Sequence, residues 1–265
     1  MKDFIKRTAL EAGNILMQSF RNVQNVKKKD GAGYVTEADT KSEEFIINTI
    51  SKVYPDHSIL AEESGINEPP SIGRYKWIID PLDGTTNFVH GLPWFCVSIA
   101  CEFNGEIIMG TVYNPAMNEL FFAEKEKGAY LNDKKIDVSK TNKISDSFLA
   151  TGFSYSKGKK LDEAINKYHV LKQESTAVRR NGAAAIDLAY TAAGMFDGYW
   201  EKDISPWDMA AGVLIVKEAG GTITNFGGKH YTVYDKEVIA SNGLIHNYIV
   251  NVLNDRKKDA ISGNQ

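Results

Sequence analysis

The sequence is poor in cysteine, and its two cysteines are not placed to pair. Cys96 and Cys101 lie five positions apart in an apolar stretch that is typical of a strand. Because an odd separation puts two side chains on opposite faces of a strand, we expect both to stay unpaired as small buried hydrophobes. The cytoplasm, where thiols stay reduced, is the expected compartment.

The sequence also lacks an excess of positive charge and any long apolar run. Its net charge is −3, which argues against a protein that binds nucleic-acid backbones, since such proteins are basic. No apolar run approaches the roughly 20 residues of a membrane span, and the charged start MKDFIKRTALEAG does not fit a secretory signal. We therefore expect neither nucleic acid nor a membrane as partner. A hydrophobic content of 43% is typical of a soluble globular protein.

Helical and strand patterns alternate along the chain. Apolar residues at steps of three and four predict a helix over residues 3–22, and a second helix is expected from Thr36 to just before Pro55. Residues 95–103 and 107–113, joined by an Asn-Gly turn, are typical of an antiparallel hairpin. Further strands are predicted at 58–61, 119–123, 129–131, 147–151, 196–200, 222–225 and 237–241, and further helices at 161–172, 183–193, 206–219 and 246–254.

The most informative stretch is WIIDPLDGTTNF, residues 77–88. Its first three residues predict a strand, which is expected to break at Asp80. Pro81 fixes its own φ and favours an extended conformation for Asp80, so that the carboxylates of Asp80 and Asp83 can converge. Carboxylate oxygens are the ligands that Mg²⁺ prefers. The stretch therefore predicts a magnesium site at the end of a strand.

The residues that follow the second carboxylate favour an anion next to that site. Gly84 permits a close approach of the backbone, so the amides of Gly84 and Thr85 can face a phosphate. The alternative is a simple turn built by aspartate and glycine. Two carboxylates, a proline, a glycine and two hydroxyls at one strand end favour the functional interpretation.

Other acidic residues have a structural interpretation beside a functional one. Asp39 follows Thr36 by three positions, which is the spacing of a capping box and favours a helix cap over a water-orienting role. Asp208 is the third residue of a helix whose first is Pro206, where a carboxylate is stabilised by the helix dipole in any case. Glu62 follows a short strand, where a solvated glutamate and a metal ligand look identical in sequence.

In these residues the sequence resembles the inositol monophosphatase family of Mg²⁺-dependent, Li⁺-sensitive phosphatases. The resemblance extends from about residue 3 to residue 255 and is carried, in the family's order, by VTEAD at 35–39, AEES at 61–64, residues 77–88 and WDMAAG at 207–212. It implies an α/β (α+β) fold, a layered α-β-α-β-α sandwich of the inositol monophosphatase and fructose-1,6-bisphosphatase type. The whole chain, 1–265, is then one domain with sub-layers at about 1–140 and 141–265, and the protein is expected to be a homodimer.

The resemblance also implies a ligand set and a set of substrate contacts. Two or three Mg²⁺ ions per site are expected, with Li⁺ as an inhibitor. The first ion would take Glu62, Asp80 and the Leu82 carbonyl, and the second Asp80, Asp83 and Asp208. The residues implied in catalysis are Asp39, Glu62 and Thr85, of which Asp39 and Thr85 would position the attacking water. The substrate would contact Asp83, Gly84, Thr85, Gly182, Ala183, Ala184, Glu201 and Asp208.

The predicted activity is an inositol-1-monophosphatase that releases myo-inositol and phosphate by attack of metal-activated water. No cysteine or histidine nucleophile motif is present, and the five histidines are scattered and interpreted as structural or surface residues: His57, His90, His169, His230 and His246. An alternative keeps the fold and mechanism but acts on NADP(H), fructose 1,6-bisphosphate or 3′-phosphoadenosine nucleotides.

Two features bear on the choice of substrate. Glu201 suits a polyol hydroxyl and favours inositol phosphate, whereas Arg179 and Arg180, just before a helix start, suit a second anionic group. The polar loop at 154–160 has no clear match to the family pattern. A non-catalytic metal-binding protein with a degenerate site is disfavoured, because every position implied by the resemblance carries the expected residue.

Overall fold

The computed structural model describes residues 1–28, 33–67, 74–153 and 158–254. The loop predicted at 154–160 therefore lies outside the described residues except for its last three positions. The helices are α1 (Lys2–Ser19), α2 (Glu37–Val53), α3 (Thr85–Val89), α4 (Lys159–Glu174), α5 (Ala184–Ala192), α6 (Pro206–Glu218) and α7 (His246–Leu253), with a 3-10 turn at Ile144–Asp146.

The strands form two sheets and one short hairpin. The hairpin consists of β1 (Lys27–Lys28) and β2 (Tyr34–Val35). The large sheet has the order β10-β9-β8-β7-β6-β5-β3-β4 and the small sheet the order β12-β11-β13-β15-β14. The large-sheet strands are β3 (Ser58–Ala61), β4 (Gly65–Asn67), β5 (Tyr75–Asp83), β6 (Cys96–Phe103), β7 (Glu106–Asn114), β8 (Glu119–Glu124), β9 (Ala129–Leu131) and β10 (Lys134–Ile136). The small-sheet strands are β11 (Phe148–Thr151), β12 (Ala177–Arg179), β13 (Gly198–Lys202), β14 (Thr222–Thr224) and β15 (Glu237–Ser241).

Helices cover both outer faces and fill the space between the sheets, so the layers follow the predicted α-β-α-β-α order. Helices α1 and α2 pack on one face of the large sheet. Helices α5 and α6 lie between the two sheets, and α4 and α7 cover the far face of the small sheet. None of the helices within the described ranges is both long and apolar enough to cross a bilayer.

The sequence of α6 accounts for its central place. Its residues from Met209 to Val216 are all buried, which is typical of a helix that is covered on every side. Small residues let it approach the large sheet closely. A Cβ atom added to Gly110 of β7 would lie 2.8 Å from the Cα of Ala211, so this contact requires glycine.

The two cysteines are unpaired and buried, as predicted. Cys96 packs in the cluster around α5 and α6, whereas Cys101 packs in the cluster around α1 and α2. The alternation of β6 therefore places them on opposite faces of the large sheet.

The prediction that the central strand breaks at Asp80 is wrong. Strand β5 continues to Asp83, and its register with β6 shifts between the Asp80–Ser98 pair and the Asp83–Cys96 pair. A bulge of this kind accepts Pro81, which has no N–H to give to the ladder. Gly84 then turns the chain at φ 89°, and residues 85–89 form α3, which the sequence did not indicate.

Candidate active site

A cavity of about 640 Å³ opens where the end of β5 meets the first turns of α5 and α6. It brings together residues from the two halves of the chain. Every predicted metal or substrate residue lines this cavity: Glu62, Asp80, Leu82, Asp83, Gly84, Thr85, Gly182, Ala183, Ala184, Glu201 and Asp208. Asp39 is fully buried and reaches the site through Thr85.

Three carboxylates form the centre of the site. Asp80, Asp83 and Asp208 each offer an oxygen atom within 4.8 Å of the others. Backbone amides orient all three side chains. Leu82 N donates to Oδ1 of Asp80 at 3.0 Å, Ala185 N donates to Oδ2 of Asp83 at 2.7 Å, and Ser205 N donates to Oδ2 of Asp208 at 2.9 Å. The bulge in β5 and the first turns of α5 and α6 thus fix the cluster.

The cluster is electrostatically unfavourable without a cation. Burial, followed by repulsion from Glu62, Asp83 and Asp208, raises the pKa of Asp80. Burial and the neighbouring Asp208 likewise raise the pKa of Asp83. The pKa of Asp208 rises to about 7, chiefly through burial. An oxygen-only donor set that carries excess negative charge fits a hard divalent cation such as Mg²⁺, so the residues present suit the expected metal.

Glu62 lies beside this cluster. It follows β3, and its backbone N–H donates to the carbonyl of Ile79 at 3.2 Å, which holds it against β5. It lines the cavity, but it does not belong to the group of three within 4.8 Å. The carbonyl oxygen of Leu82, the other predicted ligand of the first ion, lies 3.0 Å from Oγ1 of Thr85.

Asp39 forms the cap of α2 that its spacing favoured, and it also contacts Thr85 of the site. Its Oδ2 accepts hydrogen bonds from the backbone N–H of Thr36 at 2.8 Å and from the Thr36 hydroxyl at 2.6 Å, which completes the predicted capping box of α2. Its Oδ1 accepts a hydrogen bond from Oγ1 of Thr85 at 3.1 Å. Burial raises the pKa of Asp39, and the hydrogen bonds from Thr36 and Thr85 oppose that shift.

Gly182 and Ala183, just before α5, form part of the cavity wall. Gly182 has φ 86°, a conformation that glycine adopts without strain. The side-chain amide of Asn87 donates to the carbonyls of Asn181 at 2.9 Å and Trp94 at 2.8 Å. These bonds hold the end of the central motif against the loop that precedes α5.

The side chains of Arg179 and Arg180 have different surroundings. Arg180 lines the cavity, and its Nη2 donates to the carbonyl of Phe153 at 3.3 Å. The guanidinium of Arg179 instead stacks over the ring of Phe148, 4.9 Å from its centroid. A second anionic group in the cavity would therefore meet Arg180 rather than the pair.

The sequence profile of the inositol monophosphatase family matches residues 1–258. The chain belongs to the inositol monophosphatase family. The family consists of metal-dependent phosphatases of the phosphoric monoester hydrolase class, and the acidic cluster described above is of the kind such chemistry needs.

Individual members of the inositol monophosphatase family resemble the chain over most of its length. It is 41% identical over 247 residues to the Nus factor SuhB of Pseudomonas aeruginosa, covering 91% of each chain. It is 42% identical over 254 residues to the fructose-1,6-bisphosphatase/inositol-1-monophosphatase of Thermotoga maritima, covering 96% of this chain and 95% of the relative. The crystal structure of the suppressor protein SuhB from Bartonella henselae superposes with a TM-score of 0.90 at 40% identity, covering 95% of this chain and 97% of that one.

Two polar residues of this inositol monophosphatase site were not assigned a role from the sequence. Asn87 lies within the central motif, but one of its partners, the carbonyl of Asn181, lies 94 positions away. Asp187 is buried in α5, lines the cavity and accepts a hydrogen bond from the side-chain amide of Asn181 at 2.8 Å. A lone carboxylate in an otherwise apolar, alanine-rich helix was the available signal for Asp187.

Proposed function

We propose that this protein is a Mg²⁺-dependent inositol-1-monophosphatase that hydrolyses the phosphate ester with water. The observation that carries the proposal is the convergence of Asp80, Asp83 and Asp208 within 4.8 Å at one end of the cavity. Family membership supports the hydrolase class, and the geometry supports the metal dependence. Hydrolysis of a phosphate monoester is very slow without a catalyst, so the site must remove a large part of the barrier.

Glu62, Asp80, the Leu82 carbonyl, Asp83 and Asp208 would hold the ions. When bound, a pair of divalent ions supplies charge neutralisation for an in-line displacement at phosphorus. The amides of Gly84 and Thr85, at the start of α3, would receive phosphate oxygens, because exposed backbone N–H groups at such a turn favour anions. The hydroxyl of Thr85, held by Asp39, would orient the attacking water.

The alcohol side of the cavity favours a polyol. Glu201 lines the cavity and offers a carboxylate that can accept hydrogen bonds from ring hydroxyls. Burial raises the pKa of Glu201 to about 7, while the Tyr199 hydroxyl and Arg180 oppose that shift. This arrangement supports myo-inositol 1-phosphate as substrate. We also propose that the chain is a cytoplasmic homodimer with a single domain, as the resemblance implies.

A second candidate activity is the hydrolysis of fructose 1,6-bisphosphate, NADP⁺ or a 3′-phosphonucleotide. Arg180 in the cavity favours a substrate with a second anionic group. The Thermotoga maritima relative is named for two activities, fructose-1,6-bisphosphatase and inositol-1-monophosphatase.

A kinetic panel distinguishes the two candidates. Phosphate release would be measured with inositol 1-phosphate, fructose 1,6-bisphosphate, NADP⁺ and a 3′-phosphonucleotide, each with Mg²⁺ and with a chelator. We expect Mg²⁺-dependent release with the highest kcat/KM for inositol 1-phosphate. Equal release with the chelator would refute the metal-dependent mechanism, and a higher kcat/KM for another ester would replace the proposed substrate.

A further inference from the structure

Glu201 is held in the cavity by two neighbours that have no role in the reaction as described so far. The first is Tyr199, two positions earlier on β13, where alternate side chains share one face of the sheet. Its ring is fully buried in the core between the sheets, and its hydroxyl donates a hydrogen bond to Oε2 of Glu201. Trp200, between them, packs in the cluster on the other face.

The second neighbour is Gly152, directly after β11. Strand β11 runs parallel to β13 with Thr151 opposite Trp200, and Gly152 N donates to the carbonyl of Trp200 at 3.4 Å. This pairing brings the backbone of Gly152 against the side chain of Glu201. The absence of a side chain at position 152 therefore determines how much room Glu201 has.

The space beside Gly152 is occupied by the carboxyl group of Glu201. A Cβ atom added to Gly152 would have Oε2, Cδ and Oε1 of Glu201 as its three nearest atoms. All three would lie closer than 3.0 Å, the shortest contact distance that Cβ atoms show in proteins. Gly152 does not have a positive φ, so alanine is compatible with the backbone here. An added methyl group would act on the Glu201 carboxylate and not through backbone strain.

We propose that Gly152 and Tyr199 are positioning residues that set the substrate preference of the site. Gly152 leaves the space that the Glu201 carboxylate occupies, and Tyr199 fixes the orientation of that carboxylate. Glu201 can then bind the hydroxyl groups of polyol phosphates. This inference rests on the proposed function, because it assigns the alcohol-reading role to Glu201. It adds Tyr199 of β13 and Gly152, directly after β11, neither of which is a metal ligand in the proposed scheme.

The test compares myo-inositol 1-phosphate with 4-nitrophenyl phosphate, which has no ring hydroxyl for Glu201 to bind. The readout is the ratio of the two kcat/KM values, measured with KM and kcat separately for the wild type and for Gly152→Ala, Tyr199→Phe and Glu201→Ala. We expect the ratio to fall about tenfold to a hundredfold in Gly152→Ala and Glu201→Ala, and about threefold to tenfold in Tyr199→Phe. The loss should be mainly a higher KM for the inositol ester.

Tyr190→Phe is the matched control for the tyrosine. Tyr190 belongs to the same core cluster, and its hydroxyl donates to a carboxylate, that of Glu119, which does not line the cavity. Its substitution should change the melting temperature without changing the ratio. A double variant, Gly152→Ala with Glu201→Ala, should show the ratio of Glu201→Ala alone, because the methyl group then has no carboxylate to displace.

The outcomes separate this inference from the proposed function. In one outcome, the ratio of the two kcat/KM values falls in Glu201→Ala and stays at the wild-type value in Gly152→Ala and Tyr199→Phe. In that case the positioning role is wrong and the proposed function stands. If the wild type releases no phosphate from either ester, the proposed function fails and the inference with it. A crystal structure of Gly152→Ala provides a readout independent of activity. The inference requires the Glu201 carboxylate to be displaced from the Tyr199 hydroxyl, and an unmoved carboxylate would overturn it.

Discussion

The hydroxyl of Thr85 donates a hydrogen bond of 3.1 Å to Oδ1 of Asp39, while the other oxygen of that carboxylate caps helix α2. One side chain thus divides a structural and a proposed catalytic role between its two oxygens. Because each oxygen has its own partner, the two roles can be separated by substitution.

Thr85→Val should lower kcat about a hundredfold or more with little change in melting temperature, since it removes the hydroxyl that would orient water. Thr36→Ala should do the reverse. It removes the capping hydroxyl at a cost of about 1 kcal/mol of stability, while the Thr36 N–H still holds Asp39. Steady-state kinetics and thermal unfolding of both variants check this. Equal losses of kcat in the two variants would show that the two roles of Asp39 cannot be separated.

Asp80→Asn should abolish turnover, because Asp80 is the ligand proposed to bridge both ions. It should also relieve repulsion in the metal-free protein. A carboxylate whose pKa is raised by folding costs stability as pH increases above its usual range, so at pH 7.5 metal-free Asp80→Asn should melt no lower than the metal-free wild type.

The response to Mg²⁺ provides the complementary measurement for Asp80. Mg²⁺ at a hundred times its Kd should stabilise the wild type by about 2.7 kcal/mol. Differential scanning fluorimetry with and without Mg²⁺ should show this gain in the wild type and a much smaller one in Asp80→Asn. Near-normal turnover by the variant would exclude the shared-ligand role.

Li⁺ at millimolar concentration should inhibit phosphate release, because a small hard cation can take one of the proposed Mg²⁺ positions. The measurement is a titration with LiCl at fixed Mg²⁺, and KCl serves as the control for ionic strength. Complete insensitivity to Li⁺ would place the protein in a distant subgroup of the family and would remove this part of the resemblance.

His246 should make the protein less stable in mild acid. The side chain is 4% exposed, and its ring nitrogens lie 2.9 Å from the hydroxyls of Thr224 and Ser241. Burial lowers the pKa of His246 from 6.5 to about 4. The unfolded chain therefore binds a proton more readily than the native state between those values, and stability is lost as pH falls through that window, by up to about 3 kcal/mol at pH 4.

Thermal unfolding at pH 7.5 and pH 5 tests the role of His246. His246→Asn should show a smaller difference between the two melting temperatures than the wild type does. His230→Asn is the control, because His230 is exposed. An unchanged pH difference in His246→Asn would mean that this histidine does not contribute to the acid sensitivity.

Local chemistry in the sequence predicted most helices and their starts. Thr36 caps α2 and Ser205 caps α6, with Asp39 and Asp208 at the third helical position, as their spacing indicated. The strand at 237–241 is found with the predicted bounds. These features depend on neighbours within a few positions, so the sequence carries the signal directly.

The strands whose bounds or existence were not predicted depend on partners far away in the chain. The strand predicted at 196–200 is found at Gly198–Lys202, where its residues pair with β11 on one side and β15 on the other. The short strand β12 was not predicted, since its three residues form a strand only beside β11. The continuation of β5 through Pro81 likewise depends on β6.

The candidate site was predicted residue by residue through resemblance, and all of these residues except Asp39, which contacts Thr85, line one cavity in the structure. Spacing alone did not connect Asp208 with Asp80, because 128 positions separate them and only the packing of α6 against β5 joins them. The roles of the individual residues stay predictions, as does the division into sub-layers at about 1–140 and 141–265.

The most direct test of the metal site is a crystal structure with Mn²⁺ in place of Mg²⁺, analysed by anomalous scattering. We expect anomalous peaks between the carboxylates of Asp80, Asp83 and Asp208, with Glu62 turned towards them. A well-ordered structure from Mn²⁺-saturated crystals with no anomalous peak among these carboxylates would contradict it.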